Sequence, residues 1–467
     1  MADVRMTSLT IALLTPLALL AACGDGFDER YDSSGELIEL GDTAEVEATT
    51  TSTTVQRELG DVSIQHPDTD ITESDAIYSG ASGALRVGDT WVVSGFDNHS
   101  DFEQPERGAL WTSDDLENFE RIGQDISDGD DQQTITQLLV VDDQLLAFGQ
   151  DFSRAGAASL DSDAVVWRSD DQGETFDRVV VERHARILSA IVIDDVLWAV
   201  GAMDVDGDLA GQLWRSDDAG EHWKATDPKA TPSPGAPLLQ LGPLRLLLEW
   251  NGSLIAIGST ATTDPQGGDR LLPTESYESG GFGTAIPIDI GIWYSDDGGE
   301  HWTGTRPDGL AGVFGTGSPS AAVVVGDHLL IAGVTTGGFD PATYDPSLDD
   351  LSQLGGSLAK AWWCDYTLQH CNEYVLLPDS LDFVEGTLAL ADNGLVAFAV
   401  RGVDYTDDDQ SVRVGVLDPA TGATSWIGGN GELEQVEAIE IVDGTIYWFG
   451  RDPGSNLMHV ASSELPD

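Results

Sequence analysis

Basic residues are scarce in this chain. Its 467 residues include 21 Lys and Arg against 82 Asp and Glu, a formal net charge of −61. Lysine occurs only at Lys224, Lys229 and Lys360. A surface of that sign repels phosphate backbones and anionic headgroups, which excludes nucleic acid and any membrane held by surface charge. The acidic excess reads as a solvated surface whose self-repulsion counter-ions screen. Three cysteines leave one pair and an odd residue. No Gly-x-Ser-x-Gly elbow occurs at a strand-to-loop junction, and the eight histidines show no metal-ligand spacing. Beyond the first residues no apolar run could span a bilayer, since the one near Leu244 to Trp250 is broken by Pro243 and Arg245.

The N terminus reads as a leader. Residues 1–22 carry Arg5 and then an apolar run from Leu9 to Leu20, too short for a spanning helix. The run ends in Leu20-Ala21-Ala22-Cys23, which resembles a bacterial lipobox and implies lipidation of Cys23. Residues 23–56 are acidic and then Thr-rich, with few apolar positions, and are expected to be a disordered tether. The chain is therefore expected outside the cytoplasm, anchored to the cell membrane by its lipid.

One stretch then recurs. Trp214-Arg215-Ser216-Asp217-Asp218-Ala219-Gly220-Glu221-His222-Trp223 matches the segments running from Trp167 to Phe176 and from Trp293 to Trp302. The shared letters are Ser169, Asp171, Gly173 and Phe176; Ser216, Asp218, Gly220 and Trp223; and Ser295, Asp297, Gly299 and Trp302. Ser and Asp can hold a tight turn by bonding nearby backbone, and Gly admits a positive φ. The flanking aromatics sit on the joined strands and cover apolar surface. This Trp-x-Ser-x-Asp-x-Gly-x-x-aromatic pattern resembles the Asp-box (BNR) repeat of β-propellers, the superfamily of sialidases and photosystem assembly factors. The resemblance implies a structural role for the box, away from any active site.

A second repeat accompanies the boxes from residue 57 onward: apolar strand, tight turn, apolar strand ending near Gly. The turns are Gly88-Asp89, Asp142-Asp143, Asp194-Asp195, Asn251-Gly252, Gly326-Asp327, Asn393-Gly394 and Asp443-Gly444. Each unit reads strand A, turn, strand B, loop, strand C, box, strand D. The expected fold over 57–467 is all-β, a seven-bladed β-propeller of four-stranded antiparallel blades. The seventh unit lacks its D strand, which the segment from Asp61 to His66 is expected to supply.

Irregular units carry information too. The segment from Trp111 to Phe119 keeps Ser113 and Asp115 but lacks the Gly. In the fifth unit Cys364 stands where Ser belongs and Cys371 at the final aromatic position, across one hairpin, so a disulfide is expected in an exported chain. The sixth unit has only Asp418-Pro419-Ala420-Thr421-Gly422.

Alternating strands put A–B turns and boxes on one face and every long insertion on the other. Function sits on loops carried by a rigid scaffold, so the B–C/D–A face is the candidate site. Arg306, Arg401 and Arg451 are its candidate ligand-binding residues, alongside Arg107, Arg154, Arg183, Arg186 and Arg270, although each could instead pair with surplus acids. Asp204, Asp206 and Asp208 have the spacing of a calcium loop, without the later Glu of an EF-hand. Apart from such a structural calcium ion no cofactor is expected. A sialidase would need an Arg triad and a Tyr–Glu pair; Tyr405 and Glu385 lie near suitable loops, but the Arg-Ile-Pro motif is missing. The favoured expectation is a monomeric, non-catalytic binding or assembly platform for a protein or glycan. The alternative is a glycoside hydrolase of the sialidase type.

Overall fold

The computed structural model describes residues 63–65, 78–98, 107–123, 126, 132–152, 162–205, 208–226, 230–232, 240–261, 289–305, 307, 309–310, 317–336, 357–376, 381–404, 409–428, 435–451 and 458–466. They lie within one compact unit, Ser52–Asp467. Cys23 and the leader and tether boundaries fall outside the described residues.

The strands form seven antiparallel sheets, taken here as blades 1 to 7. The A strands are Tyr78–Val87, Gln133–Val141, Ala185–Ile193, Gln240–Trp250, Gly317–Val325, Leu381–Leu390 and Gln435–Val442. Each touches the A strand before and after it, and the seventh touches the first, so they form a closed inner ring. The blade count and the closure agree with the sequence reading. Ser63–Gln65 pairs antiparallel with Met458–Glu464, placing Ser63 opposite Ser462, and serves as the D strand of blade 7.

Blade 4 departs from expectation by having five strands. Ala230–Pro232 runs parallel along the outside of its D strand, Trp302–Thr305. An edge is where a strand carrying proline is tolerated, because nothing further out needs its missing N–H.

The core is divided among the blade interfaces. Seven apolar clusters occur among the described residues, each built from two neighbouring blades. The C-strand tryptophans Trp111, Trp167, Trp214, Trp293 and Trp362 are at most 1% exposed. Each faces the preceding blade, as Trp214 does within the cluster joining blades 2 and 3. No blade could bury these faces alone, which is why the fold needs a complete ring.

The inner strands share an irregularity that the sequence only hints at. In six of the blades one residue of the A strand bulges out of register, namely Ser82, Thr136, Leu188, Arg245, Ser320 and Glu437. The B-strand residue opposite the position before each bulge is glycine: Gly95, Gly149, Gly201, Gly258, Gly333 and Gly450. A Cβ at Gly201 would lie 1.9 Å from the carbonyl oxygen of Arg186, and one at Gly149 would lie 1.8 Å from that of Thr134. The recurring glycine therefore marks a close backbone approach beside a bulge. Blade 6 carries Ala399 instead and has a wider irregularity, between Glu385 and Ala389. Several bulge hydroxyls then bond the next inner strand: Ser82 donates to the Ile135 carbonyl at 2.6 Å and Thr136 to that of Ile187 at 3.2 Å.

Candidate functional site

The two faces differ in chemistry. On the box face the hairpin turns meet the boxes, with Thr90 donating to Asp114 at 2.7 Å and Ser253 to Asp296 at 2.5 Å. Ser169, Ser216 and Ser295 each donate to the box carboxylate two residues on and accept the N–H of Gly173, Gly220 and Gly299. Those glycines have φ of 94°, 85° and 83°. Asp171 accepts the backbone N–H of Thr175; Asp218 and Asp297 accept those of His222 and His301. Asp115, Asp171, Asp218 and Asp297 are thereby lowered from 3.8 to about 2. The leading cause is the Asn118 N–H for Asp115, the Thr175 hydroxyl for Asp171, and the His222 and His301 N–H groups for the other two. Trp223 and Trp302 close the turns by donating Nε1 to the Gly220 and Gly299 carbonyls.

The truncated first box works by substitution. Leu116, left-handed at φ 59°, supplies the N–H that Ser113 accepts. In the fifth, Cys364 and Cys371 lie directly opposite one another and are disulfide-bonded, with a Cα separation of 4.0 Å. Asp365 still caps that turn by accepting from the Thr367 N–H and hydroxyl. In the sixth, Asp418 accepts from the Ala420 N–H and the Thr421 hydroxyl.

Sequence spacing gave the histidines no ligand role, yet the fold gathers two mixed clusters. Potential ligand atoms of Asp218, Glu221 and His222, and of Asp297, Glu300 and His301, lie within 4.8 Å of one another. The histidine Nδ1 in each is already bonded to the box aspartate, at 2.7 and 2.6 Å. They read as exposed parts of the turns. Asp204 and Asp208 lie on paired strands of the hairpin Val196–Val205 and Asp208–Ser216, with Val205 opposite Asp208, and Asp206 lies outside the described residues.

On the loop face most long connections, and Arg154, Arg270, Arg306 and Tyr405 with them, lie outside the described residues. Glu385 sits in the A strand of blade 6, opposite Ala399. Arg401 and Arg451 lie on the B strands of the adjacent blades 6 and 7. Arg451 donates to Gln435 at 3.3 Å, and burial lowers its pKa. Two arginines are committed to acids on their own blades. Arg121 is paired with Asp97, and Arg178 lies 2.5 Å from Asp151 and 3.4 Å from Asp163.

The inner ring holds charges of its own. Arg186 is the second residue of its A strand, at the loop-face end, and Arg245 is the bulge residue of the next blade. Arg245 is exposed to solvent although surrounding protein lowers its pKa by desolvation, as befits a concave position near the axis. Arg186 is lowered by desolvation and then by repulsion from Arg245. Burial also raises Glu440 from 4.5 to about 7. That value alone would nominate Glu440 as an acid catalyst. Its place denies the role, since it sits opposite Tyr447, toward the A–B turn of blade 7 and away from the loop face.

No protein-family model matches the chain, and no curated protein matches it. Among solved structures it is similar to an ulvan lyase of polysaccharide lyase family PL25 bound to -[GlcA(1-4)Rha3S]-. The TM-score is 0.52 at 8% identity, over 83% of this chain and 94% of that one. The likeness is one of fold. The α-L-arabinofuranosidase Arb93A of Fusarium graminearum also matches, at TM-score 0.43 and 11% identity, over 83% of this chain and 93% of that one. These neighbours are carbohydrate-active enzymes built on propellers.

Proposed function

We propose that this protein is a carbohydrate-active propeller that binds and cleaves a glycan over the loop-face end of its inner ring. The carrying observation is the asymmetry between the faces. Box-face turns satisfy their own polar groups, whereas the inner ring presents Arg186, near its loop-face end, and Arg245, midway along the next A strand, without acidic partners among the described residues. The fold likeness to an ulvan lyase, over 83% of this chain, supports a glycan over the non-catalytic platform first favoured from sequence. A fold alone does not carry an activity, so the assignment rests on the site.

The leader belongs to the same proposal. Export with a lipid on Cys23, ahead of an Asp-box propeller on an acidic tether, suits an enzyme that meets polymers too large to enter the cell. Labelled fatty acid should be incorporated by the wild type and not by Cys23→Ser.

The activity is tested by incubating the purified full chain with uronate-containing, sulfated and neutral polysaccharides, following reducing ends and the ultraviolet absorbance of unsaturated uronate. New reducing ends with unsaturation identify a lyase; new reducing ends without it identify a hydrolase. Neither cleavage nor binding across the panel would return the molecule to the platform reading.

A further inference from the structure

We propose that Arg186 and Arg245, on neighbouring strands of the inner ring, form an anion-binding subsite inside its loop-face opening, taking a carboxylate or sulfate group of the bound glycan. This rests on the carbohydrate reading above.

The argument begins from scarcity. With 82 acidic residues to 21 basic ones, nearly four to one, a cation has no shortage of partners. Other cations in this fold take them: Arg121 with Asp97, Arg178 with Asp151 and Asp163, Lys360 with Glu373 at 2.9 Å. Arg186 and Arg245 do not. Neither makes an ion pair or stacks on an aromatic ring among the described residues, and the Arg186 Nε is closed to solvent with no hydrogen-bond partner. Arg186 is half-buried, and its pKa is lowered by that burial and then by the charge of the exposed Arg245 on the next inner strand. Two guanidinium groups on neighbouring inner strands repel one another, and an anion lying between them would turn that repulsion into attraction.

The backbone fixes the arrangement. Arg186 lies where its carbonyl meets Gly201, at a distance only glycine permits, and Arg245 occupies the bulge that Gly258 makes possible, where a Cβ would come 2.4 Å from the Pro243 carbonyl. Both side chains therefore start from clamped backbone on neighbouring inner strands, an arrangement suited to two-point recognition of a planar carboxylate or a tetrahedral sulfate.

The test uses the full-length protein and thermal unfolding in sodium sulfate or sodium glucuronate, against sodium chloride at matched ionic strength. We expect both probes, or one of them, to raise the Tm of the wild type beyond chloride. The apparent Kd should weaken by about tenfold or more in Arg186→Gln and in Arg245→Gln, with Arg245→Lys intermediate. Without added anion neither Gln variant should melt below the wild type, because each removes half of a repelling pair. An anion-induced rise of equal size in all variants is a general salt effect and overturns the proposal, as does no rise in the wild type. Sulfate responding alone points to a sulfate ester, glucuronate alone to a uronate. Anion binding through these arginines with no binding or cleavage of any polysaccharide keeps the subsite and removes the glycan reading. Cleavage of an acidic polysaccharide with unchanged KM in both Gln variants does the reverse.

Discussion

A single methyl group decides several positions in this ring. Gly201→Ala would drive a Cβ to 1.9 Å from the Arg186 carbonyl, backbone against backbone, with no flexible atom to yield. A loss of about 3 kcal/mol or more is expected, measured as a lower denaturation midpoint at unchanged slope. Ala399, at the matching place in blade 6, shows that the requirement lapses where the bulge widens. Titration gives two opposed signatures. The box aspartates, lowered from 3.8 to about 2, contribute stability that is complete above the unfolded value and is lost as pH falls through the folded one. Tm should therefore drop between about pH 4 and 2, and less steeply in Asp171→Asn. Glu440, raised from 4.5 to about 7, acts in reverse, since its ionisation costs stability as pH rises across that interval. Glu440→Gln should raise stability above pH 7, by up to about 3 kcal/mol, and leave it unchanged below about pH 4. The recurring glycine was visible as a letter in six of the seven B strands, but its cause was not, because the bulge it serves lies on the partner strand. Arg245 looked only like an interruption in an apolar run. Its neighbour Arg186 stands 59 residues earlier, since 245 − 186 = 59, and no local pattern joins two adjacent blades.

Blades and boxes were largely legible because their signals are local. Two-residue turns such as Asp142-Asp143 take positive φ at both positions, 50° and 66°, as a tight hairpin demands. Box spacing likewise exposed the Cys364–Cys371 bridge, two positions facing each other across one hairpin. Reduction of that bond should cost about 2 kcal/mol by the entropy of a short loop, seen as a lower Tm in the presence of reductant. The extra strand of blade 4 escaped notice because Ala230-Thr231-Pro232 carries neither alternation nor a turn signal. Its register is set entirely by Trp302–Thr305, to which it is joined in parallel.

Across the whole molecule the seven interfaces stand or fall together, since each cluster needs a blade on either side. Deleting Arg57 to Pro67 removes the strand paired with Met458–Glu464 and leaves the last blade with a bare edge. A fall in Tm of the entire domain is expected in a single transition; an unchanged melt would show that the ring holds without it. Net charge acts at the same scale. With −61 to confine, the folded ring should gain stability as sodium chloride rises, because screening shortens the reach of repulsion from about 30 Å at 0.01 M to about 3 Å at 1 M. The proposed site was the least legible part, because the loops have irregular sequences and Arg186 and Arg245 lie on strands that become neighbours only when the ring forms.

The pairing of Ser63 with Ser462 also sets an order of events during synthesis. The ribosome makes one half of that latch first and the other half 399 residues later, since 462 − 63 = 399. Until then six blades can stack as an arc whose two end faces remain greasy and uncovered. A nascent chain of this kind gains by staying unfolded until it is whole.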